Sequence, residues 1–260
     1  MFFMVILVAG GAAGSAVYGW MQVTEDLPDY RDVEALQFET TQIYDRNGRL
    51  LHEVSDPLTG WRTAISYDEV IENVEQHKDR EGAPQRAYMF DAMVAAEDAT
   101  FWTNPGVDPV AISRSLVTNI TGGATSGAST ITQQLVRALF PEEIGFEHSY
   151  TRKMREAVVA WQLNREHEKE DILEMYLNNV YFGNRAYGID AAAQSYFNKY
   201  AWNLSLAEAA MLAGLPQAPS IYDPTQNFEL AKIRQRYVLD RMAQLDMITE
   251  READQAYEEP

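Results

Sequence analysis

Apolar residues recur at helical spacing through most of the sequence after Tyr88. Met89, Met93 and Ala96 lie three or four positions apart, and later segments repeat this spacing until a Pro or Gly interrupts it. Such spacing places the apolar side chains on one face of an α-helix, which then packs against a core. The pattern predicts a mainly α globular domain, and 260 residues with 46% hydrophobic content are enough to bury such a core. Helices are predicted over residues 88–97, 109–120, 130–140, 150–168, 171–180, 206–215 and 228–245.

Shorter signals mark a hairpin and several helix starts. Residues 41–54 alternate in polarity around Asn47-Gly48, which is typical of a β-hairpin. Ser66, Ser205 and Thr249 each precede a Glu by three positions at the start of a helical segment, and this arrangement predicts a capping box. The β element is therefore expected to be small and to lie near the N-terminal end.

The first 24 residues, Met1 to Thr24, contain no charged side chain. About 20 apolar residues cross the hydrocarbon core of a bilayer as a helix, so a transmembrane helix is predicted here. Tyr18 and Trp20 suit the membrane interface. A cleaved signal peptide is the alternative, because small residues surround Ala12.

The net charge of −18 bears on which partners the chain binds. Such a surface repels nucleic-acid phosphates unless basic residues are locally concentrated, so no nucleic-acid partner is expected.

The absence of cysteine excludes disulfides and thiolate metal sites. The four histidines are scattered without metal-ligand spacing. Against this acidic background, one local basic group consists of Arg137, Arg152, Lys153 and Arg155, which favours a polyanionic ligand.

An acidic pair, Glu97-Asp98, ends the apolar helical segment that begins at Tyr88. A carboxylate at the end of an apolar segment tends to lose solvent, which raises its pKa and suits proton transfer. The alternative is a solvated acidic pair at a helix end, because surface carboxylates are common. The residues themselves leave both interpretations open.

A second cluster is Arg152-Lys153-Met154-Arg155-Glu156. Arg152 and Glu156 are four positions apart and Lys153 and Glu156 three, so the three side chains share one helix face while Arg155 points elsewhere. One interpretation is an exposed helix salt bridge, worth about 0.3–0.5 kcal/mol. The other is a cationic seat for phosphate beside a carboxylate that its neighbours keep ionised.

The segment from Ser129 to Gln134 places hydroxyls and amides at the start of a predicted helix. Ser129 or Thr130 is expected to be the N-cap residue. The segment is either only a capped helix start, or a helix N-terminus that also binds phosphate or sugar oxygens.

Five motifs in order resemble the peptidoglycan glycosyltransferase domain (glycosyltransferase family 51) of class A penicillin-binding proteins and monofunctional transglycosylases. The resemblance covers roughly residues 40–245. The motifs read AAEDATFWTNPGVDP, GASTITQQLVR, RKMREAVVAWQL, KEDILEMYLNNVYFGNRAYGIDAAAQSYF and LSLAEAAMLAGLPQAPSIYDP. Any one of these motifs is weak evidence, whereas five in sequence order make a chance match implausible.

The resemblance implies a lysozyme-like helical domain with a small membrane-proximal jaw, on the extracytoplasmic face of a bacterial cell membrane. The implied reaction polymerises lipid II into β-1,4 glycan with inversion. The growing glycan on its polyprenyl pyrophosphate is the donor, and other cell-wall synthesis proteins are candidate partners. The predicted organisation is a single transmembrane helix over residues 1–24, a linker over 25–40, the glycosyltransferase domain over 41–248, and a linker or following region starting at 249–260.

The resemblance also implies roles for individual residues. Glu97 matches the catalytic base, and Glu156 matches a carboxylate near the donor phosphates. Mg²⁺ or Mn²⁺ at Glu156, or basic side chains alone, would neutralise the pyrophosphate, and no organic cofactor is implied. Asp98 and Phe101 are expected to orient the first motif. Sugar or phosphate is expected to contact Arg114, Ser129, Gln133, Gln134, Arg137, Arg152 and Lys153.

Several positions depart from the family pattern, and other functions compete with polymerisation. Asn104 stands where the family usually has His, Ala138 where Asn is common, and Asn164 where Glu is common. These departures affect positioning and metal use rather than the type of reaction. The alternatives are a lysozyme-like glycan hydrolase with Glu97 as acid, and an inactive scaffold that binds cell-wall synthases.

Overall fold

The computed structural model describes residues 27–28, 33, 41–47, 50–54, 61–111, 113, 129–145 and 150–259. The predicted transmembrane helix, most of the predicted helix 109–120 and Arg114 lie outside these residues. Within the described part, no helix is both long and apolar enough to span a bilayer.

Two short pairs of strands accompany the helices. Strand β1 (Thr41–Tyr44) pairs antiparallel with β2 (Leu50–Val54), which confirms the predicted hairpin. Strand β3 (Trp61–Arg62) pairs parallel with β4 (Ala186–Tyr187) much later in the chain. The second pairing fixes the segment before the first helix against the middle of the chain.

The predicted mainly helical fold is confirmed, and the predicted helices that the structure describes have boundaries close to those that the spacing predicts, while further helices such as Ile189–Phe197 were not predicted. The helices are α1 (Tyr67–His77), α2 (Tyr88–Glu97), α3 (Ile131–Leu139), α4 (Pro141–Ile144), α5 (Tyr150–Glu166), α6 (Lys169–Asn179), α7 (Ile189–Phe197), α8 (Leu206–Ala213), α9 (Pro219–Tyr222), α10 (Phe228–Gln244) and α11 (Glu250–Glu258), with a 3₁₀ turn at Ala201–Asn203.

Two of the three predicted capping boxes are present. Ser205 and Thr249 each accept a hydrogen bond from the backbone N–H three residues later, at the starts of α8 and α11. Ser66 is the N-cap residue of α1, but its side chain makes no capping hydrogen bond, so that part of the prediction is wrong. At the same helix start, the backbone N–H of Tyr67 donates to Glu174 Oε2 of α6 at 2.8 Å.

The core brings two groups of helices together at the C-terminal end of α2. Helix α2 packs against α8 and α10, while α3 packs against α5 and α6. Helix α2 is buried on nearly every side, which explains why its sequence is mostly apolar, with Asp91 and Glu97 as its charged residues. Its buried residues are Met89, Phe90, Ala92, Met93, Val94 and Ala95. The acidic pair after this segment therefore lies where the two groups meet.

Gly106 holds the loop after α2 close to α5. Its φ of +89° is in the region that favours glycine, and a Cβ atom there would lie 2.3 Å from the carbonyl oxygen of Ala160. Its N–H donates to Asn104 Oδ1 at 2.9 Å. The loop after α2 and helix α5 are therefore held together at this point by a close contact between their backbones rather than by side-chain packing.

We expect Gly106→Ala to lower the free energy of unfolding by about 2–4 kcal/mol, because it adds both backbone strain and a steric clash. Gly82→Ala is the matched control, since Gly82 also has positive φ but its Cβ would meet nothing within 4 Å. The control should cost only about 1 kcal/mol. Urea unfolding followed by circular dichroism measures both, and equal losses would contradict the role given to the close approach.

Candidate active site

Glu97 is the last residue of α2, and its side chain is largely buried between the two helix groups. Its Oε2 accepts a hydrogen bond from Gln134 Nε2 of α3 at 2.8 Å. Its Oε1 is buried and accepts no hydrogen bond from the described residues. The nearest paired cation is Arg234 of α10, with its Nη2 3.8 Å from Oε1.

Burial raises the pKa of the Glu97 carboxyl above its ordinary value. The hydrogen bond from Gln134 and the charges of Arg234 and Arg137 act in the opposite direction, and these opposing effects offset only part of the shift. A carboxylate with a raised pKa holds an abstracted proton better than a solvated one. The solvated acidic pair that the sequence left open is therefore wrong for Glu97.

Tyr176 fixes the orientation of the Gln134 amide. Its hydroxyl, on α6, donates to Gln134 Oε1 at 3.0 Å, so the amide NH₂ faces Glu97. Burial raises the pKa of Tyr176 well above its ordinary value, with Glu97 adding to the shift. Tyr176 therefore stays protonated and remains a donor. This residue lies within the fourth motif but had no predicted role.

Asp98 lies at the N-terminus of α3, although it follows α2 directly in the chain. Its buried carboxylate accepts hydrogen bonds from Ile131 N at 3.1 Å, Asn104 Nδ2 at 3.0 Å and Thr100 Oγ1 at 3.1 Å. Burial raises the pKa of Asp98, and these hydrogen bonds lower it in part. A carboxylate at a helix N-terminus is also stabilised by the helix dipole. Asp98 thus joins α2 to α3.

Thr130 is the N-cap residue of α3, which decides between the two predicted candidates. Its hydroxyl accepts from Gln133 N at 3.1 Å and donates to the carbonyl of Gly106 at 2.6 Å. Gln133 completes a capping box by accepting from Thr130 N at 3.0 Å. Gln133 is buried, so its amide oxygen holds the helix start, whereas Gln134 faces the carboxylate.

The second predicted cluster surrounds a buried carboxylate on α5. Glu156 is 0% exposed and receives Arg152 Nη1 at 2.6 Å and Lys153 Nζ at 3.0 Å. Arg137 Nη1 of α3 lies 4.0 Å from Glu156 Oε1. Arg155 points elsewhere, as its spacing predicts, and donates to the carbonyl of Glu143 at 3.3 Å. The exposed salt bridge that the sequence left open is therefore wrong, because the carboxylate is fully buried.

Two cations of this cluster remain accessible to a ligand. The side chains of Arg137 and Lys153 are each 43% exposed. Lys153 also donates to Ser129 Oγ at 2.7 Å, which brings that predicted residue into the site. One carboxylate faces three cations here, so the cluster carries excess positive charge that suits an anion. Arg137 acts on both Glu97 and Glu156 and so connects the two clusters.

The residues around Glu156 do not fit a divalent cation. Both of its carboxylate oxygens contact cationic side chains, whose charge would repel a metal ion. In the part of the chain that the structure describes, no group of three or more His, Cys, Asp or Glu residues could hold a metal ion.

Arg234 is, after Tyr176, a second site residue that sequence reasoning missed. Its side chain is 12% exposed, and its guanidinium lies over the rings of Tyr237 at 4.3 Å and Tyr222 at 5.8 Å. Tyr237 follows at helical spacing, which was the one local signal that this arginine is held in place. Nothing in the sequence pairs Arg234 with Glu97, because α2 and α10 are far apart in the chain.

Comparison with known proteins shows the family. Residues 67–243 match the family described as Transglycosylase. This match covers more than half of the chain, and the chain belongs to the transglycosylase family. The resemblance carried by the five sequence motifs is thereby confirmed.

Among the similar proteins are several named penicillin-binding protein 1A. Penicillin-binding protein 1A of Neisseria flavescens is 49% identical over 170 residues, which cover 65% of this chain and 21% of that protein. Penicillin-binding protein 1A of Aquifex aeolicus (strain VF5) is 38% identical over 240 residues, which cover 92% of this chain and 30% of that protein. A crystal structure of penicillin-binding protein 1A from Haemophilus influenzae overlaps 85% of this chain and 20% of that chain, with a TM-score of 0.43 and 24% identity. The chain thus spans less than a third of the length of either curated relative.

We expect Arg152→Met to lower the free energy of unfolding by about 3 kcal/mol, because it removes the cation that lies nearest to the buried carboxylate of Glu156. Arg155→Met, on the same helix, should cost less than about 1 kcal/mol. Adding Glu156→Gln to Arg152→Met should restore part of the loss, since the unpaired charge is then gone. Chemical unfolding of the parent, Arg152→Met, Glu156→Gln and the double variant measures this coupling, and purely additive losses would contradict it.

Proposed function

We propose that the chain is a membrane-anchored peptidoglycan glycosyltransferase that polymerises lipid II into β-1,4 glycan. The observation that carries this proposal is the pairing of a buried basic carboxylate with a cluster of excess positive charge. Glu97 is the buried carboxylate. Arg137 and Lys153 are the accessible cations of the positively charged cluster. Membership of the transglycosylase family supports the same reaction.

Glu97 acts as the general base in this proposal. The acceptor is the 4-hydroxyl of a lipid II GlcNAc, and its proton passes to the Glu97 carboxylate as the oxygen attacks C1 of the donor sugar. The bond from C1 to the pyrophosphate oxygen breaks on the opposite face, so the configuration at C1 inverts. The Glu97 oxygen that lacks a hydrogen bond is the acceptor for this proton.

The cationic cluster stabilises the leaving group. Polyprenyl pyrophosphate departs as an anion, so no acid has to protonate it, and Arg137 and Lys153 supply the compensating charge. The Glu156 carboxylate, which also pairs with Arg152, holds these cations from the buried side. No step depends on a metal ion, because the donor set around Glu156 does not suit one.

The setting of the reaction follows from the same proposal. The uncharged segment from Met1 to Thr24 would anchor the chain as a single-pass helix in the bacterial cell membrane. The catalytic domain then lies on the extracytoplasmic face, where lipid II is presented with its lipid in the bilayer. The relatives' names record penicillin binding by those longer proteins, and we propose that this chain corresponds to their glycan-polymerising part.

Glu97→Gln should lower the rate of lipid II polymerisation by roughly 100- to 10,000-fold, because the amide cannot accept the hydroxyl proton. Gel analysis of labelled lipid II products measures the rate. Glu142→Gln, an exposed acid on α4, is the control that should polymerise like the parent. Parent-like polymer from Glu97→Gln would overturn the base assignment, and glycan shortening by the parent would overturn polymerisation itself.

Arg234→Met should move the acid limb of the kcat profile to higher pH. Arg234 lowers the pKa of Glu97, so its removal raises that pKa, and the carboxylate then protonates at a higher pH. Because the base must be ionised, kcat falls as pH drops through the raised pKa. Arg236→Met is the matched control on the same helix, since Arg236 pairs with Asp240 and Asp254. An unshifted limb in Arg234→Met would contradict the electrostatic role of Arg234.

A further inference from the structure

Lys169, the first residue of α6, has no role in the proposed reaction. It opens the fourth sequence motif, and its side chain is partly buried beside the first motif. Its Nζ lies 4.6 Å from the centre of the Phe101 ring and donates to Asn104 Oδ1 at 3.4 Å. Among the described residues, no carboxylate lies within ion-pair distance of it. A partly buried cation without a direct counter-ion is unusual and calls for a function.

Asn104 connects Lys169 to the acidic pair. Its Oδ1 accepts from Lys169 and from Gly106 N, so its Nδ2 is turned towards Asp98. The Nδ2 donates to both carboxylate oxygens of Asp98, at 3.1 and 3.0 Å. Because Lys169 and Gly106 both donate to Oδ1 of Asn104, the Nδ2 end of this amide is the one that faces Asp98.

Asp98 connects this arrangement to Glu97 through helix α3. It accepts from Ile131 N at the first position of α3. One turn later on the same helix, Gln134 donates to Glu97. The hydrogen bonds that begin at Lys169 therefore reach the start of α3, and the backbone of α3 connects them to the hydrogen bond that holds Glu97.

We propose that Lys169 is a positioning residue, whose ammonium fixes Asp98 through Asn104 and so sets the distance between Gln134 and Glu97. This inference rests on the proposed glycosyltransferase function for its effect on rate. The hydrogen-bond arrangement itself is independent of that function.

Charge supports the same arrangement. Burial lowers the pKa of Lys169 to about 8, and the Asp98 carboxylate acts to raise it. In return, the Lys169 charge lowers the pKa of Asp98. Other nearby acids are engaged elsewhere, since Glu168 caps α6, Glu170 acts on Tyr67 and Asp108 accepts from Thr100. Asp98 is therefore the acid that responds to the charge of Lys169.

The test compares Lys169→Met and Lys169→Arg with the parent chain, with Lys199→Met as control, because Lys199 pairs with Glu208 away from the site. The first readout is an NMR titration of the Asp98 carboxyl carbon. We expect its pKa to rise in Lys169→Met and to return towards the parent value in Lys169→Arg. Unchanged Asp98 titration in Lys169→Met would overturn the proposal.

The second readout is lipid II polymerisation across pH. Lys169→Met should lower kcat by roughly 10- to 100-fold with little change in KM, because a misplaced base affects the chemical step. In the parent, kcat should fall as pH rises through about 8, where Lys169 loses its charge. Lys169→Arg should lack that alkaline limb, since arginine stays protonated. An alkaline limb that persists in Lys169→Arg would overturn the proposal, even if Lys169→Met does not fold.

The two proposals fail in distinguishable ways. A parent chain that makes no polymer would contradict the glycosyltransferase function, while the Asp98 titration would still test the contact with Lys169. A parent chain that polymerises, together with variants that leave both the titration and kcat unchanged, would contradict the role of Lys169 alone.

Discussion

The buried carboxylate of Asp98 is the interaction on which the site depends. It follows α2 in the chain, yet it binds the N-terminus of α3 by accepting from Ile131 N at 3.1 Å. Since α2 packs with α8 and α10, and α3 with α5 and α6, this side chain joins the two helix groups, together with the hydrogen bond from Gln134 to Glu97. Its other acceptor sites are filled by Asn104 and Thr100, so the desolvated charge is compensated.

The joined groups create two electrostatic environments within one site. At Glu97, burial outweighs the surrounding donors and cations, so the carboxylate gains affinity for a proton. At Glu156, three cations surround one carboxylate, and two of them remain half-exposed to a ligand. Arg137 acts on both carboxylates. A carboxylate with raised proton affinity and a cluster of excess positive charge are therefore held together, which is the arrangement that the proposed reaction requires.

Local sequence signals predicted local structure well and failed where a distant residue intervened. Ser205 and Thr249 cap their helices as predicted, because both capping partners lie within four residues. Ser66 does not, and at that helix start the neighbouring N–H of Tyr67 is bound by Glu174 from α6. The choice of Thr130 over Ser129 as N-cap likewise depended on a distant group, the carbonyl of Gly106, while Ser129 binds Lys153.

The sequence by itself determined the helical class, the approximate helix boundaries and the shared face of Arg152, Lys153 and Glu156. These features follow from periodicities of three to four residues, which act within one helix. Only the tertiary structure decided that Glu156 is fully buried, that Arg234 approaches Glu97 and that Tyr176 orients Gln134. The physical reason is that solvent exclusion and long-range charge depend on which helices pack together, and no local pattern specifies that packing.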